Sequence, residues 1–315
     1  MKKDTILVYG AGMMGKGIAM VMSALSDYEI VLFDVVDSDV LSPIRDNFMQ
    51  LAKKGVLSEK EIDDRMSRIH FTTDKSEKGI SEAVLVIECV FEDMKLKQDT
   101  FKELEDMCSE DCIFCTNTSV MSPTEISKDL KHKQRFMGTH FWNPAFLIPL
   151  VEVIKTEETK DDAVDYVMDI LKKAGKKAVL CKKDVPGFIA NRMQHALWRE
   201  AISIVENGIA DAETVDIAVK NSFGLRLPQL PPLENADMVS LELTYNIHNY
   251  ILPYLEDSHK PSPLLKEMMA KGDNGYKTGK GFFERSEEEI KKQKEDLVDY
   301  LIEMTNRKLE EANNG

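Results

Sequence analysis

Across its first 180 residues the chain alternates short, uniformly apolar runs with longer amphipathic stretches, which leaves few folds open. ILVYG, EIVLFD, AVLVIEC, CIFCTN, FMGTHF, LVEVI and KAVLC are the strand candidates. Helical patterns such as MKLKQDTFKELEDM and TKDDAVDYVMDILKKAG separate them. A strand exposed on one face would alternate apolar with polar residues; these runs do not, as expected where both faces are covered. The alternation predicts an α/β fold, a doubly wound and mostly parallel sheet with helices on both faces. After KKDVPGF only helical periodicity remains, through IANRMQHALWREAISIVENG, AETVDIAVKNS and VSLELTYNIHNYILPYL. Pro186 and Gly187 punctuate the change, and 315 residues suit two separate cores. The expected organisation is a sheet domain over 1–185 and a smaller all-α domain over 186–315. RLPQLPPLENAD reads as a proline-rich connection within the second, and SEEEIKKQKEDLVDYLIEMTNRKLEEANNG as an amphipathic helix with a solvated charged face.

Charge narrows the partners. A net charge of −14 argues against nucleic acid and against an anionic membrane surface, and an anionic substrate would need a local basic patch. No apolar run approaches bilayer length. MKKDTILVYG begins like a signal peptide, but its apolar stretch is short and runs into glycines, so a cytoplasmic chain is expected. Cys108, Cys112 and Cys115 have a C-x3-C-x2-C spacing that can hold a cluster. CIFCTN reads as a buried strand, however, where residues three apart face opposite ways. Cys108 then ends the preceding helix, and reduced core cysteines are expected, with no metal site.

YGAGMMGKGIAM places Gly10, Gly12 and Gly15 in a G-x-G-x-x-G between a strand and a helix. EIVLFD ends on Asp34, nineteen residues past Gly15, as in Rossmann-type dinucleotide sites. Gly10 would allow the tight turn, Gly12 the backbone's approach to a pyrophosphate, and Gly15 close helix–strand packing. Met13 and Met14 open the helix whose free N–H groups would meet the phosphates. Asp34 would accept from the adenosine ribose hydroxyls, and the residues after it, Val35, Val36 and Asp37, offer no arginine for a 2′-phosphate. NAD is therefore favoured over NADP, with a flavin or a nucleotide-type methyl donor as the rival ligand.

THFWNP sets His140 among aromatics, and Glu152 follows in the next strand candidate. A core histidine satisfied locally and a general base held by an acid are both open at this point. The strand end is where doubly wound folds place ligands. TNTS, with Asn117 and Ser119, should reach the same rim, and GFIANR puts Asn191 on the first helix after the boundary. A base, a hydroxyl and an amide would then converge on one cleft.

GAGMMGKGIA, FEDMKLKQDTF, NTS, THFWNP with VEV, DVPGFIANR and KTGKGFF together resemble, in order, the 3-hydroxyacyl-CoA dehydrogenase family, over about residues 4 to 284. The resemblance implies fatty-acid metabolism, and a general base at His140 that removes the proton of the 3-hydroxyl while hydride passes from C3 to NAD. Glu152 would hold the other imidazole nitrogen. Ser119 and Asn191 would bond the hydroxyl or thioester oxygen. Asn117 and Asn143 would help seat cofactor or substrate, and Glu92 and Lys97 would contact the nicotinamide half. It also implies a homodimer built through the helical domain, and a basic stretch after the second strand that meets the CoA phosphates, kept here as Lys53 and Lys54.

Two places depart from the family pattern. Val56 follows the glycine after those lysines with acids crowding the next turn, and PPLENAD stands where Gly-Pro-Phe-Glu is usual. LIPLVEVI and GLRLPQLPPLE resemble relatives that oxidise small free 3-hydroxy acids, such as gulonate or carnitine dehydrogenases. The substrate is thus an acyl-CoA thioester or a small 3-hydroxy acid. A non-catalytic NAD-binding relative would keep the glycines and Asp34 but lose His140 or Glu152; both are present.

Overall fold

The computed structural model of the chain describes residues 3–314. Eight strands form one sheet: β1 (Asp4–Tyr9), β2 (Tyr28–Phe33), β3 (Ile69–Thr72), β4 (Ala83–Glu88), β5 (Ile113–Thr116), β6 (Phe136–Phe141), β7 (Leu150–Lys155) and β8 (Lys177–Cys181). Their order is β3-β2-β1-β4-β5-β6-β7-β8. The first six run parallel; β7 turns antiparallel to β6, and β8 follows β7 in parallel. Strand order reverses at β1, between β2 and β4, the switch point at which such sheets bind nucleotides.

The uniform apolar runs are explained by two cores, one on each face. Ile6, Val8, Ile30, Leu32, Leu85 and Ile87 enter one cluster, packed under the helices Met13–Met22, Leu41–Lys53 and Asp161–Lys173. Leu7, Tyr9, Val31, Phe33 and Val86 enter the other, under Met94–Met107. The same alternation parts the cysteines: Cys112 packs in the second cluster and Cys115 in the first. Cys108 caps the helix Met94–Met107.

One strand has no counterpart among the sequence candidates. β3, IHFT, has only four residues, and all but Ile69 are partly or fully exposed. An edge strand this short carries too little apolar pattern to stand out.

The chain divides into two compact units, one running up to Arg192 and resuming at Asp296, the other Met193–Glu295. This differs from the expected domains 1–185 and 186–315 in two respects. The first division falls inside the helix Ala190–Glu206 instead of at the proline and glycine before it. The final helix, Glu287–Asn314, returns to the sheet unit because Ile302 is buried in the same cluster as Phe48 and Leu51.

The second unit is helical, with Ala212–Lys220, Pro232–Val239, Leu241–Ile251 and Pro263–Ala270 among its elements. The expected connection RLPQLPPLENAD is partly helix, since Pro232 opens Pro232–Val239 at a position where no N–H is required. Among the described residues, Ile290 is the one buried apolar side chain of this unit. No described helix is long and apolar enough to cross a membrane.

Candidate active site

Glycine shapes the rim where β1, β2 and β4 end. Gly10 has φ +108°, and a Cβ there would sit 2.8 Å from the Cys89 carbonyl. A Cβ on Gly15 would lie 1.7 Å from the Gly10 oxygen, so the helix Met13–Met22 meets the strand turn at a distance only glycine permits. Gly12 differs, because an added Cβ would meet no protein atom within 4 Å. The helix begins without a side-chain cap, leaving its first N–H groups for an anion.

Asp34 is fixed by backbone donors, Ala11 N at 2.7 Å on Oδ2 and Val36 N at 3.1 Å on Oδ1. Two bonds leave a carboxylate further lone pairs for ribose hydroxyls. A cleft of about 480 Å³ joins Gly10, Gly12, Met13, Met14 and Asp34 with Val90 and Phe91. Lys75, paired with Glu103, also lines it. The sequence reading, confined to the residues next to Asp34, missed this cation.

A second missed residue lies at the end of β4. Glu88 is fully buried, with Oε1 accepting from Lys97 Nζ and Val90 N, each at 2.7 Å, and Oε2 from Thr116 Oγ1 at 2.7 Å. Burial pushes the Glu88 carboxyl up, against the opposing pull of Lys97. Lys97 is therefore a buried partner of Glu88 first, and reaches Glu92 only at 3.4 Å. Glu92 accepts from Thr118 Oγ1 and the Ser119 N–H, at 2.5 and 3.0 Å, and so fixes the loop after β5.

The pairing of β6 with β7 sets His140 directly opposite Glu152. Cross-strand neighbours face the same side, and Nδ1 lies 2.9 Å from Oε2. Glu152 has three further donors: Trp142 Nε1 at 3.3 Å, Ile189 N at 2.9 Å and Ala190 N at 3.0 Å. Burial raises this carboxyl, but the bonds from His140, Ala190, Ile189 and Trp142 outweigh it and hold it below the usual carboxylate range. Gly187 and Phe188, at φ 77° and 51°, make the turn that brings the two N–H groups to it. A left-handed phenylalanine costs about 1–2 kcal/mol, comparable with what hydrogen bonds to one charged group return. Phe188 is buried with its ring 5.7 Å from that of His140. Among the described residues nothing hydrogen-bonds His140 Nε2.

Asn191 is buried, and its Nδ2 donates to the Ser119 carbonyl oxygen at 3.0 Å, so these two candidates meet. Asn117 is turned inward: its Oδ1 accepts from Phe141 N at 2.9 Å, tying β5 to β6 beside His140. Asn143 is exposed in the loop after β6. Lys176 secures that loop by donating to the carbonyls of Ala145 and Ile148, and burial pulls its ammonium down to about 8. Lys53 and Lys54 are exposed on the helix Leu41–Lys53 and just past it, and Lys54 is paired with Asp299 at 3.0 Å. Trp142 and the Ile189 and Ala190 amides are site members the sequence reading missed, although the aromatic next to His140 and the PGF turn were visible.

A glycine cradle at the switch point and a buried imidazole–carboxylate pair belong to the dinucleotide-binding oxidoreductases. Within that class the chain is a member of the 3-hydroxyacyl-CoA dehydrogenase family, and NAD is its cofactor. Residues 5–185 match the family's NAD binding domain and residues 187–285 its C-terminal domain. The mitochondrial hydroxyacyl-coenzyme A dehydrogenase of Homo sapiens is 35% identical over 289 residues, covering 88% of this chain and 90% of that protein. Among solved structures, an (S)-3-hydroxybutyryl-CoA dehydrogenase from Ralstonia eutropha matches with TM-score 0.76 and 28% identity, over 91% of this chain and 100% of that one. A 5-formyl-3-hydroxy-2-methylpyridine 4-carboxylic acid 5-dehydrogenase, described as an NAD+-dependent dismutase, matches with TM-score 0.88 and 28% identity, over 98% of this chain and 99% of that one.

Proposed function

We propose that the chain catalyses the reversible NAD-dependent oxidation of a 3-hydroxyacyl substrate to its 3-oxo product, with His140 as general base. The buried His140–Glu152 pair, with no partner for Nε2 among the described residues, carries this reading. Glu152 accepts a hydrogen bond from Nδ1–H, so Nε2 holds the lone pair that takes the hydroxyl proton. The imidazolium that forms is stabilised by a carboxylate that four donors keep ionised. When bound, NAD accepts the hydride from C3. Asn191 uses one N–H on Ser119, which leaves its other N–H and its oxygen for substrate, beside the Ser119 hydroxyl. Lys97 and Glu92 hold the loops after β4 and β5 that would border the nicotinamide. NADH oxidation with a 3-oxo substrate, compared between the parent and His140→Ala, tests the assignment.

The acyl carrier has two readings. An (S)-3-hydroxyacyl-CoA such as 3-hydroxybutyryl-CoA is supported by the family and by the human and Ralstonia relatives. A small free hydroxy acid is favoured by the relative that acts on a pyridine carboxylic acid, whose structure covers 98% of this chain.

Asp34 should set cofactor choice. The parent should strongly prefer NAD(H), and Asp34→Ala should relax that preference, because the lost bonds are to a charged group, worth about 1.5–3 kcal/mol. Lys75 in the same cleft would then be able to meet a 2′-phosphate. Equal kcat/KM for NAD and NADP in the parent would overturn this role.

The same reading assigns residues 186–315 to substrate contacts and to a homodimer, and the chain to the cytoplasm, in keeping with its five free cysteines. Ile209, Leu225, Leu233, Met238, Tyr250 and Tyr254 are each at least 72% exposed, apolar surface that a second copy would cover. Light scattering should give twice the 35.8 kDa chain mass. A monomer at micromolar concentration would refute the dimer.

A further inference from the structure

The turn that delivers two amides to Glu152 is tied at both its ends to the loop after β5. At one end Asn191 Nδ2 donates to the Ser119 carbonyl oxygen at 3.0 Å. At the other stands Asp184, which takes no part in the proton transfer. Its Oδ2 accepts from Ser122 Oγ at 2.5 Å and from Thr124 N at 2.8 Å, 62 and 60 residues away in sequence. The Ser122 hydroxyl also accepts from Glu125 N at 3.2 Å, so one hydroxyl both caps the short helix Pro123–Ile126 and holds the carboxylate. Thr124 N is among the first N–H groups of that helix, which have no partner within it. Residues 119–122 and 184–191 thus form a ring closed by a side-chain bond at each end. Between those bonds the second segment turns through Gly187 and Phe188 and presents the Ile189 and Ala190 N–H groups to Glu152.

We propose that Asp184 is a positioning residue for the reaction, holding the loop after β5 against this turn so that the Ser119 hydroxyl and the Asn191 amide address one substrate oxygen. The inference rests on the reaction assigned to His140 and adds to it a residue that touches neither substrate nor NAD. The Asn191–Ser119 bond joins two neutral groups and fixes one distance, which leaves the loop free to pivot about it. The bonds to Asp184 end on a carboxylate and are the stronger kind; placed at the far end of the ring, they remove that pivot. Orientation is what the chemistry needs, because a misplacement of about 1 Å can cost about 10²-fold in rate. Asp184 Oδ1 is buried and has no hydrogen-bond partner among the described residues, so all that Asp184 holds is held through Oδ2. An amide oxygen also accepts two bonds. Asparagine can therefore make both contacts, and alanine neither.

The test compares the full chain with Asp184→Ala, Asp184→Asn, Asn191→Ala and the double variant Asp184→Ala with Asn191→Ala. Rates are measured with NADH and acetoacetyl-CoA or small free 3-oxo acids. Asp184→Ala should lower kcat about 10–100-fold with KM for NADH within about twofold of the parent, and Asp184→Asn should restore kcat to within about fivefold. Because both residues act through the same loop, the double variant should turn over within a few-fold of the worse single one. Hydrogen exchange should show residues 119–124 losing protection in Asp184→Ala and keeping it in Asp184→Asn. Should Asp184→Ala fail to fold, Ser122→Ala removes one of the two donors and should lower kcat by about 3–10-fold. Unchanged turnover in the alanine variant, a rise in KM for NADH matching the fall in kcat, or single losses that multiply in the double variant would each overturn the proposal. So would an asparagine variant as slow as the alanine one. A parent that binds NADH and reduces no 3-oxo compound would overturn the reaction assigned to His140. The clamp would then stand or fall on the exchange of residues 119–124 alone.

Discussion

His140→Ala is expected to lower turnover by about 10²–10⁴, the usual share of general acid–base catalysis, while NAD affinity stays near that of the parent. Among the described residues the imidazole hydrogen-bonds Glu152 alone, and neither the glycine cradle nor Asp34 depends on it. Glu152→Gln should be impaired too, for a reason specific to this site. Four donors converge on Glu152, His140 Nδ1 and Trp142 Nε1 on one oxygen and the Ile189 and Ala190 amides on the other. A glutamine has one oxygen and one donating nitrogen, so it must face one of those pairs with a donor. Either the turn at Phe188 loses its anchor, or the imidazole is driven to the tautomer with its proton on Nε2, where it cannot accept one. Steady-state rates at saturating NADH, with cofactor affinity measured separately by fluorescence, give the comparison. Turnover by His140→Ala within a few-fold of the parent would make His140 a core histidine.

Lys97→Met should be the most destabilising single change at the cofactor side of the sheet. Glu88 and Lys97 are both fully buried, and removing one member of such a pair leaves a charge in a low-dielectric interior, at a cost of about 3–5 kcal/mol. The sign of the pH dependence distinguishes this cause from simple loss of packing. The Glu88 carboxyl already sits above its ordinary value in the folded chain, and without Lys97 it should rise further. A folded-state value above the unfolded one means that stability is fullest below the unfolded value and is lost as pH rises through the folded one. Urea unfolding should therefore show a smaller deficit for Lys97→Met at pH 5 than at pH 7. A deficit independent of pH would mean that the lost methylene packing, and not the stranded carboxylate, is responsible.

Most of the fold was legible because burial on two faces leaves an unbroken apolar run, as in ILVY and VLVIE. IHFT was not, since an edge strand of four residues covered on little of its surface leaves no such run. The glycine cradle and the His140–Glu152 pair were legible for different reasons. Glycines at a strand–helix junction have a local steric cause, whereas the pair needed two strand candidates to be adjacent and antiparallel, which the strand pattern did not state. Glu88 was invisible as a functional group because, inside AVLVIEC, it reads as the polar end of a strand; its partner lies nine residues on, across a helical turn. Asn117 was legible as a polar group at the rim, but the bond its Oδ1 accepts from the backbone of β6 was not, because that depends on which strand lies beside β5. The final helix was legible as an amphipathic helix. Its place in the core that holds Phe48 and Leu51 was not, because periodicity gives a helix its apolar face but not that face's neighbour.

The register of β6 against β7 also bears on how this site could change over time. His140 and Glu152 are opposed through strand pairing, so the number of residues in the intervening loop, 142–149, does not enter their geometry. Beside the exposed Asn143, clear of Trp142 and of the buried Ala145 and Leu147, that loop can gain or lose residues and reshape the mouth of the site while the acid–base pair stays in place. Within either strand the tolerance vanishes: one inserted residue sends the next side chain to the opposite face, and the carboxylate would leave the imidazole for the far core. Chemistry and selectivity are thus carried by stretches of chain that can drift independently, and a library with insertions confined to the loop should yield altered substrate ranges far more often than inactive proteins.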